Sequence, residues 1–233
     1  MAVHSLKDMP TALPEGLILG AVLERGEIND AFVSLKYKSL NELTTKDKIA
    51  TSSLRRIAGL LHLKPNLNIV DIRGNVITRL EKMKEGYCDA MIMATTGLRR
   101  LGLQSYIAEI IAPEIIIPAV GQGAIGIEIN EKDEETKEII SQINHSNTWN
   151  SIVAERAFMH TLEGGCQVPV GCYTSLTGDE IKITGFVASL DGKQYIKQEL
   201  SGNIINAEEI GTKLANQIIS LGGKQILNAI RKS

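Results

Sequence analysis

The sequence predicts an α/β chain that closes with a separate α+β unit. Three observations carry this. Between residues 48 and 101 short apolar segments alternate with segments of helical spacing, the rhythm of an α/β unit with a parallel core. Asp89-Ala90-Met91-Ile92-Met93-Ala94 is an almost unbroken apolar run, as a strand covered on both faces requires. Beyond residue 171 the pattern becomes antiparallel, with Gly178-Asp179 and Asp191-Gly192 as turn signals between extended runs.

Along the chain, Ala2-Val3-His4 reads as a strand that enters mid-domain. The stretch to about residue 24 holds too little apolar material for a core of its own, so the chain reads as one lacking an N-terminal piece. Lys48 to Thr51 is a short strand, and Ser52 or Ser53 can cap the helix that runs to His62. Leu67 to Ile72 is the next strand, and Val76 to Lys84 has helical spacing. A further short helix begins at Leu98, and Ile115-Ile116-Ile117 reads as extended. Gly121-Gln122-Gly123-Ala124-Ile125-Gly126 matches G-x-G-x-x-G literally, but a dinucleotide site needs a helix next. Here Ile125 to Ile129 alternates like a strand, so the glycines mark a crossing between domains. Asp133 to Ile143 and Trp149 to Leu162 are helical, three strands span 172 to 200, and Ala207 to Ile230 closes as helix.

Composition narrows the function. Aromatic residues are only 4% of the 233, so aliphatic side chains must build the core. The net charge of −2 argues against a nucleic-acid partner, which normally needs a basic face. No apolar run reaches the length of a membrane-crossing helix, and the N-terminus lacks the pattern of a signal peptide. Cys88, Cys166 and Cys172 show no CxxC spacing, which points to a reducing cytoplasm. Four scattered histidines give no ligand spacing, and no metal is expected.

Three constellations carry chemistry. Arg55 and Arg56 follow the strand-to-helix turn at Thr51-Ser52-Ser53, in the first turn, where the helix dipole disfavours cations. Such a placement invites a compensating anion. Arg73 and Arg79 bracket the next strand-to-helix turn, and Gly74 permits close backbone approach. In a parallel sheet both turns lie at the carboxyl edge, where ligands bind. Four guanidiniums there suit a ligand with several carboxylates; the bland alternative is a solvated set of surface arginines. Asp8, beside Lys7, is by itself an ordinary ion pair, but among cations it is a candidate for proton transfer or for stabilising positive charge. Cys166 lies in a Gly-Gly turn, Gly164-Gly165-Cys166, followed by Pro169 and Gly171. Isolated cysteines are usually small buried hydrophobes, which describes Cys88 and Cys172.

These strings together resemble the porphobilinogen deaminase family. Val3-His4-Ser5-Leu6-Lys7-Asp8-Met9-Pro10 is similar to its V-H-S-x-K-D-x-P segment. Thr51 to Arg56, Arg73-Gly74-Asn75-Val76, Thr78-Arg79 and Pro118 to Gly123 resemble its arginine and inter-domain segments. Glu155-Arg156-Ala157-Phe158 and Gly164-Gly165-Cys166 resemble its cofactor region. The resemblance implies two periplasmic-binding-protein-like lobes, the first incomplete, and a C-terminal α+β domain with a three-stranded antiparallel sheet. The divisions would be 1–23 with 124–141, 29–117, and 146–233. It implies a monomeric transferase that joins four porphobilinogen molecules head to tail, with loss of ammonia, into hydroxymethylbilane. Cys166 would hold a dipyrromethane cofactor as a thioether, and Asp8 would be the catalytic carboxylate. Lys7, Ser53, Arg55 and Arg56 would bind the cofactor, and Thr51, Arg73, Arg79 and Arg100 the substrate. The family opens with an Arg-x-Ser-x-Leu-Ala motif that this sequence lacks, which implies that the chain alone is inactive or poorly active and does not assemble its cofactor.

Two other readings compete. A non-catalytic carboxylate-binding module with a solute-binding-protein-like fold explains the arginines but leaves Cys166 without a purpose. A cysteine hydrolase would need a base, for which His160 is the only near candidate in sequence.

Overall fold

The computed structural model describes residues 1–162 and 168–231. Three sheets organise them. The first is antiparallel, with strands β1 (Ala2–Ser5), β8 (Ile125–Asn130) and β2 (Leu17–Val22) in that spatial order. Helix α4 (Glu134–Ser141) covers one face, burying Ile140 with Ala21, Ile127 and Ile129.

The second sheet has five strands: β3 (Asp30–Ser34), β4 (Lys48–Ala50), β5 (Asn68–Val70), β6 (Ala90–Ala94) and β7 (Ile107–Ile111). Their order is β5-β4-β6-β3-β7. The parallel core expected from the β-α-β rhythm holds for β5, β4 and β6. Strand β3 runs antiparallel to both neighbours, because it is entered from an extended crossing rather than through a helix. Alternation sorts the side chains. Ala31, Val33, Met91 and Met93 face α2 (Val76–Lys84) and α3 (Thr95–Arg100), where Leu80, Met83 and Leu98 meet them. Phe32, Ala90 and Ile92 face α1 (Leu54–Leu63) through Leu60.

Ile115-Ile116-Ile117 is not a strand. Two crossings, residues 23–29 and 112–124, join the first and second sheets, and Ile116 and Ile117 are instead buried anchors of the second, Ile116 in the core under α1 and Ile117 beside Ala58 and Phe186. The two crossings touch: Gly26 N donates to Gly123 O at 3.0 Å. Gly123 has φ 84°, and a Cβ there would lie 2.7 Å from the Gly26 carbonyl, so only glycine fits.

The third sheet is antiparallel, β11 (Tyr195–Asn203), β10 (Glu180–Ala188) and β9 (Val170–Thr177). Helices α5 (Ser146–Thr161) and α6 (Ala207–Ile218) pack upon it. The helix expected over 207–230 is divided by a π turn, Ile219–Gly223, with non-helical backbone at Gly222, before α7 (Lys224–Arg231). A Cβ at Gly211 would lie 2.1 Å from the Ala154 carbonyl oxygen. That obstacle is helix backbone, which cannot rotate aside. Gly211→Ala should therefore destabilise the protein by about 1–3 kcal/mol through forced separation of α5 and α6, measured by urea unfolding.

Candidate active site

Strands β4 and β5 are parallel, so the turns that leave them share one edge of the sheet. Ser52 ties the turns together: its Oγ donates to Ile72 O at 2.5 Å and accepts from Ile72 N at 3.1 Å. The serines do not cap α1. Ser53 occupies the N-cap position without a side-chain cap bond, and Ser52 is committed to the neighbouring turn. Thr51 is buried, and its Oγ1 accepts from Ser53 N at 3.3 Å.

From this edge Ser53, Arg55 and Arg56 help line a cavity of about 570 Å³. Lys7 and Asp8 join them from the 3₁₀ turn Leu6–Asp8 that follows β1. Gln122 comes from the second crossing, and Arg156 and Met159 come from α5. The wall thus draws on residues beside all three sheets. Burial, and then the Arg56 guanidinium, pull the Lys7 ammonium below its ordinary value, against Asp8 and Asp30.

The arginine pair is largely matched from inside the protein. Asp30, fully buried at the start of β3, accepts from Arg56 Nε at 3.1 Å and Arg56 Nη2 at 2.7 Å. Its Oδ2 lies 2.9 Å from Arg55 Nη2, and Gln122 Nε2 donates to Oδ1 at 2.9 Å. Burial alone would raise the Asp30 carboxyl, but the two guanidiniums hold it well below the usual range. Arg55 Nη1 donates to Ile117 O at 2.5 Å and Arg56 Nη1 to Ile92 O at 3.1 Å. Arg55 Nε is buried with no hydrogen-bond partner among the described residues. A wall bearing Lys7, Arg55, Arg56 and Arg156 suits a ligand with several carboxylates.

The remaining expected residues lie elsewhere. Arg73 and Arg79 sit on the adjoining turn and do not line the cavity. The Arg73 side chain is largely exposed and pairs with Asp71 at 3.3 Å. Arg79 donates from Nε to Gly74 O at 2.8 Å; burial and then Arg56 and Arg73 lower its pKa, so it lies within electrostatic reach of the pair. Arg100 is exposed in the last turn of α3, where the dipole favours a cation without any ligand. Cys166 lies outside the described residues; Val168, just beyond that stretch, lines the cavity. No group of three potential metal ligands occurs among the described residues.

Sequence reasoning assigned no individual role to three supporting groups, although it singled out the string that holds Glu155 and Arg156. Asp30 was legible only as an acid opening an otherwise apolar strand. Arg156 Nη2 donates to Pro10 O at 2.7 Å and Thr11 O at 3.0 Å, fastening α5 to the loop that comes after Asp8. Glu155, fully buried, accepts from Arg25 Nη1 and Nη2 at 2.6 and 2.9 Å, from Gly121 N at 2.9 Å and from Thr174 N at 3.1 Å. That node joins both crossings to the third sheet.

Comparison with known proteins bears on this arrangement. The family model described as porphobilinogen deaminase, dipyromethane cofactor binding domain, matches residues 1–138. The model described as porphobilinogen deaminase, C-terminal domain, matches residues 149–220. A porphobilinogen deaminase from Prochlorococcus marinus (strain MIT 9515) is 48% identical over 99% of this chain and 74% of its own length. One from Synechococcus sp. (strain RCC307) is 50% identical over the same shares, and one from Carboxydothermus hydrogenoformans is 45% identical over 100% and 75%. Among solved structures, a YaeC-family lipoprotein from Enterococcus faecalis overlaps with a TM-score of 0.38 at 12% identity, over 55% of this chain and 62% of its own, an overlap too slight to carry weight.

Proposed function

The chain belongs to the porphobilinogen deaminase family, and from that premise we propose that the cavity beside Lys7, Asp8, Arg55 and Arg56 is where porphobilinogen units are joined. The reaction is head-to-tail condensation of four porphobilinogens, with loss of ammonia, into hydroxymethylbilane, a transferase step of tetrapyrrole biosynthesis. The observation that carries this reading is the meeting of Lys7, Asp8, Ser53, Arg55, Arg56 and Arg156 in one wall.

The residues divide the work by charge. Each pyrrole brings two carboxylates, and a growing chain needs many cations. Lys7, Arg55 and Arg56 hold the carboxylates of the family's dipyrromethane cofactor, and Ser53 offers its hydroxyl. When bound, that cofactor supplies the pyrrole carbon to which substrate is joined. Cys166 is its covalent anchor; Met159 and Val168, on either side of the undescribed stretch, line the cavity. Arg73 and Arg79, at the adjoining turn, receive carboxylates of the incoming porphobilinogen. Thr51 and Arg100 stand in that set on the family resemblance alone. Asp8 acts at the aminomethyl group, whose C–N bond breaks with the electron pair leaving on nitrogen as ammonia. The carboxylate beside the carbon stabilises the positive charge that develops there. It then accepts, at an Oδ atom, the proton that the acceptor pyrrole's α-carbon loses as the new C–C bond forms at that methylene.

The divisions 1–23 with 124–141, 29–117 and 146–233 are proposed as the domains, and the protein is placed in the cytoplasm as a monomer acting on a small molecule. No helix is long and apolar enough to cross a membrane among the described residues. The test is a porphobilinogen assay on the purified protein, scoring ammonia and hydroxymethylbilane together. Reversible porphobilinogen binding without ammonia release would favour the carboxylate-binding module instead.

A further inference from the structure

We propose that Asp30 is a positioning residue for the arginine pair: its carboxylate aligns Arg55 and Arg56 and sets the net charge they present to the cavity. The inference rests on the assignment of that cavity as the carboxylate-binding site. Two guanidiniums packed side by side repel each other, and water cannot screen them when both are buried. One carboxylate between them removes most of that repulsion and leaves the pair one unit positive.

The geometry goes beyond neutralisation. Asp30 grips Arg56 along a two-bond edge, through Nε and Nη2, and meets Arg55 from the same oxygen that takes Arg56 Nε. Gln122 Nε2 bridges Asp30 Oδ1 and Ile28 O, at 2.9 and 2.6 Å, which fixes the carboxylate in turn. The far ends of the guanidiniums rest on Ile92 O and Ile117 O. Two cations are therefore locked in place by three separate segments of chain. Among the described residues, Arg55 Nε is the buried donor of the pair that this network leaves unmatched. A grip built before its ligand arrives needs no reorganisation when a carboxylate binds.

Inorganic phosphate titrated by calorimetry at low salt reads the charge, and porphobilinogen turnover reads the alignment. An Arg55→Gln control that abolishes phosphate binding locates the phosphate at the pair. Asp30→Asn keeps shape and removes one negative charge, so phosphate should bind about tenfold more tightly, while kcat falls about tenfold from misalignment. Asp30→Glu keeps the charge but moves it by one methylene. It should leave the phosphate Kd within about twofold and lower kcat about fivefold. Asp30→Asn with phosphate affinity and kcat both within about twofold of the parent overturns the proposal. If Asp30→Asn does not fold, Asp30→Glu decides, and parental kcat in that variant overturns it. The phosphate titration needs no turnover, so an unmodified protein that releases no ammonia sinks the assigned reaction without deciding the role of Asp30.

Discussion

Asp8→Asn lowers kcat by about 10³-fold while the melting temperature and KM stay near those of the unmodified protein. The asparagine keeps the size and most of the hydrogen-bonding capacity of aspartate. What it removes is a fixed negative charge on the cavity wall, and the only carboxylate that lines the cavity among the described residues. The carbon left by departing ammonia is cationic, and the amide stabilises it only through a weak dipole. Stability should hardly move, because Asp8 is exposed and belongs to a short 3₁₀ turn rather than to the core. Asp8→Glu retains the charge and should recover part of the rate. Steady-state ammonia release checks the prediction, and an Asp8→Asn protein within about tenfold of the parental kcat would falsify the role given to this side chain.

Glu155→Ala should cost about 3–5 kcal/mol of stability, the largest single loss expected outside the hydrophobic core. The carboxylate is fully buried, and its removal strands the Arg25 guanidinium along with Gly121 N and Thr174 N. Burial alone would depress the Arg25 guanidinium, and Glu155 more than reverses this. Arg25→Leu combined with Glu155→Leu should lose less than the sum of the separate changes, since neither charge is then left alone. Urea unfolding of the four proteins forms the cycle. A Glu155→Ala loss below about 1 kcal/mol would show that the node is not what holds the crossings to the third sheet.

How much of this was legible depends on how local each signal is. The helix Val76–Lys84 was readable because its apolar spacing is local. The strand–turn–helix at residues 48–56 was readable for the same reason, and it set Arg55 and Arg56 at the sheet edge from which they line the cavity. Strand β3 was not readable as antiparallel, because direction within a sheet depends on which neighbours it meets, not on its own residues. Asp30 shares that obscurity: an acid at a strand start is usually exposed, and only the arrival of Arg55, Arg56 and Gln122 from distant segments makes it a buried hub. Arg73 and Arg79 show a different limit. Their turn is recognisable, but periodicity cannot say how far a guanidinium lies from a cavity wall, and neither reaches this one. The split of the last helix turns on the Gly222-Gly223 pair, a local signal that the long apolar spacing on either side obscures.

The central claim is that a pyrrole primer, tethered to Cys166, rests in the cationic cavity opposite Asp8. Intact mass of the purified protein, with peptide mapping of the adduct, tests it most directly. Against the expectation drawn from the missing Arg-x-Ser-x-Leu-Ala motif, the account predicts the mass of a dipyrromethane on the peptide bearing Cys166, and a bare polypeptide without turnover for Cys166→Ser. A bare Cys166 thiol in a protein that converts porphobilinogen at the parental rate would contradict it.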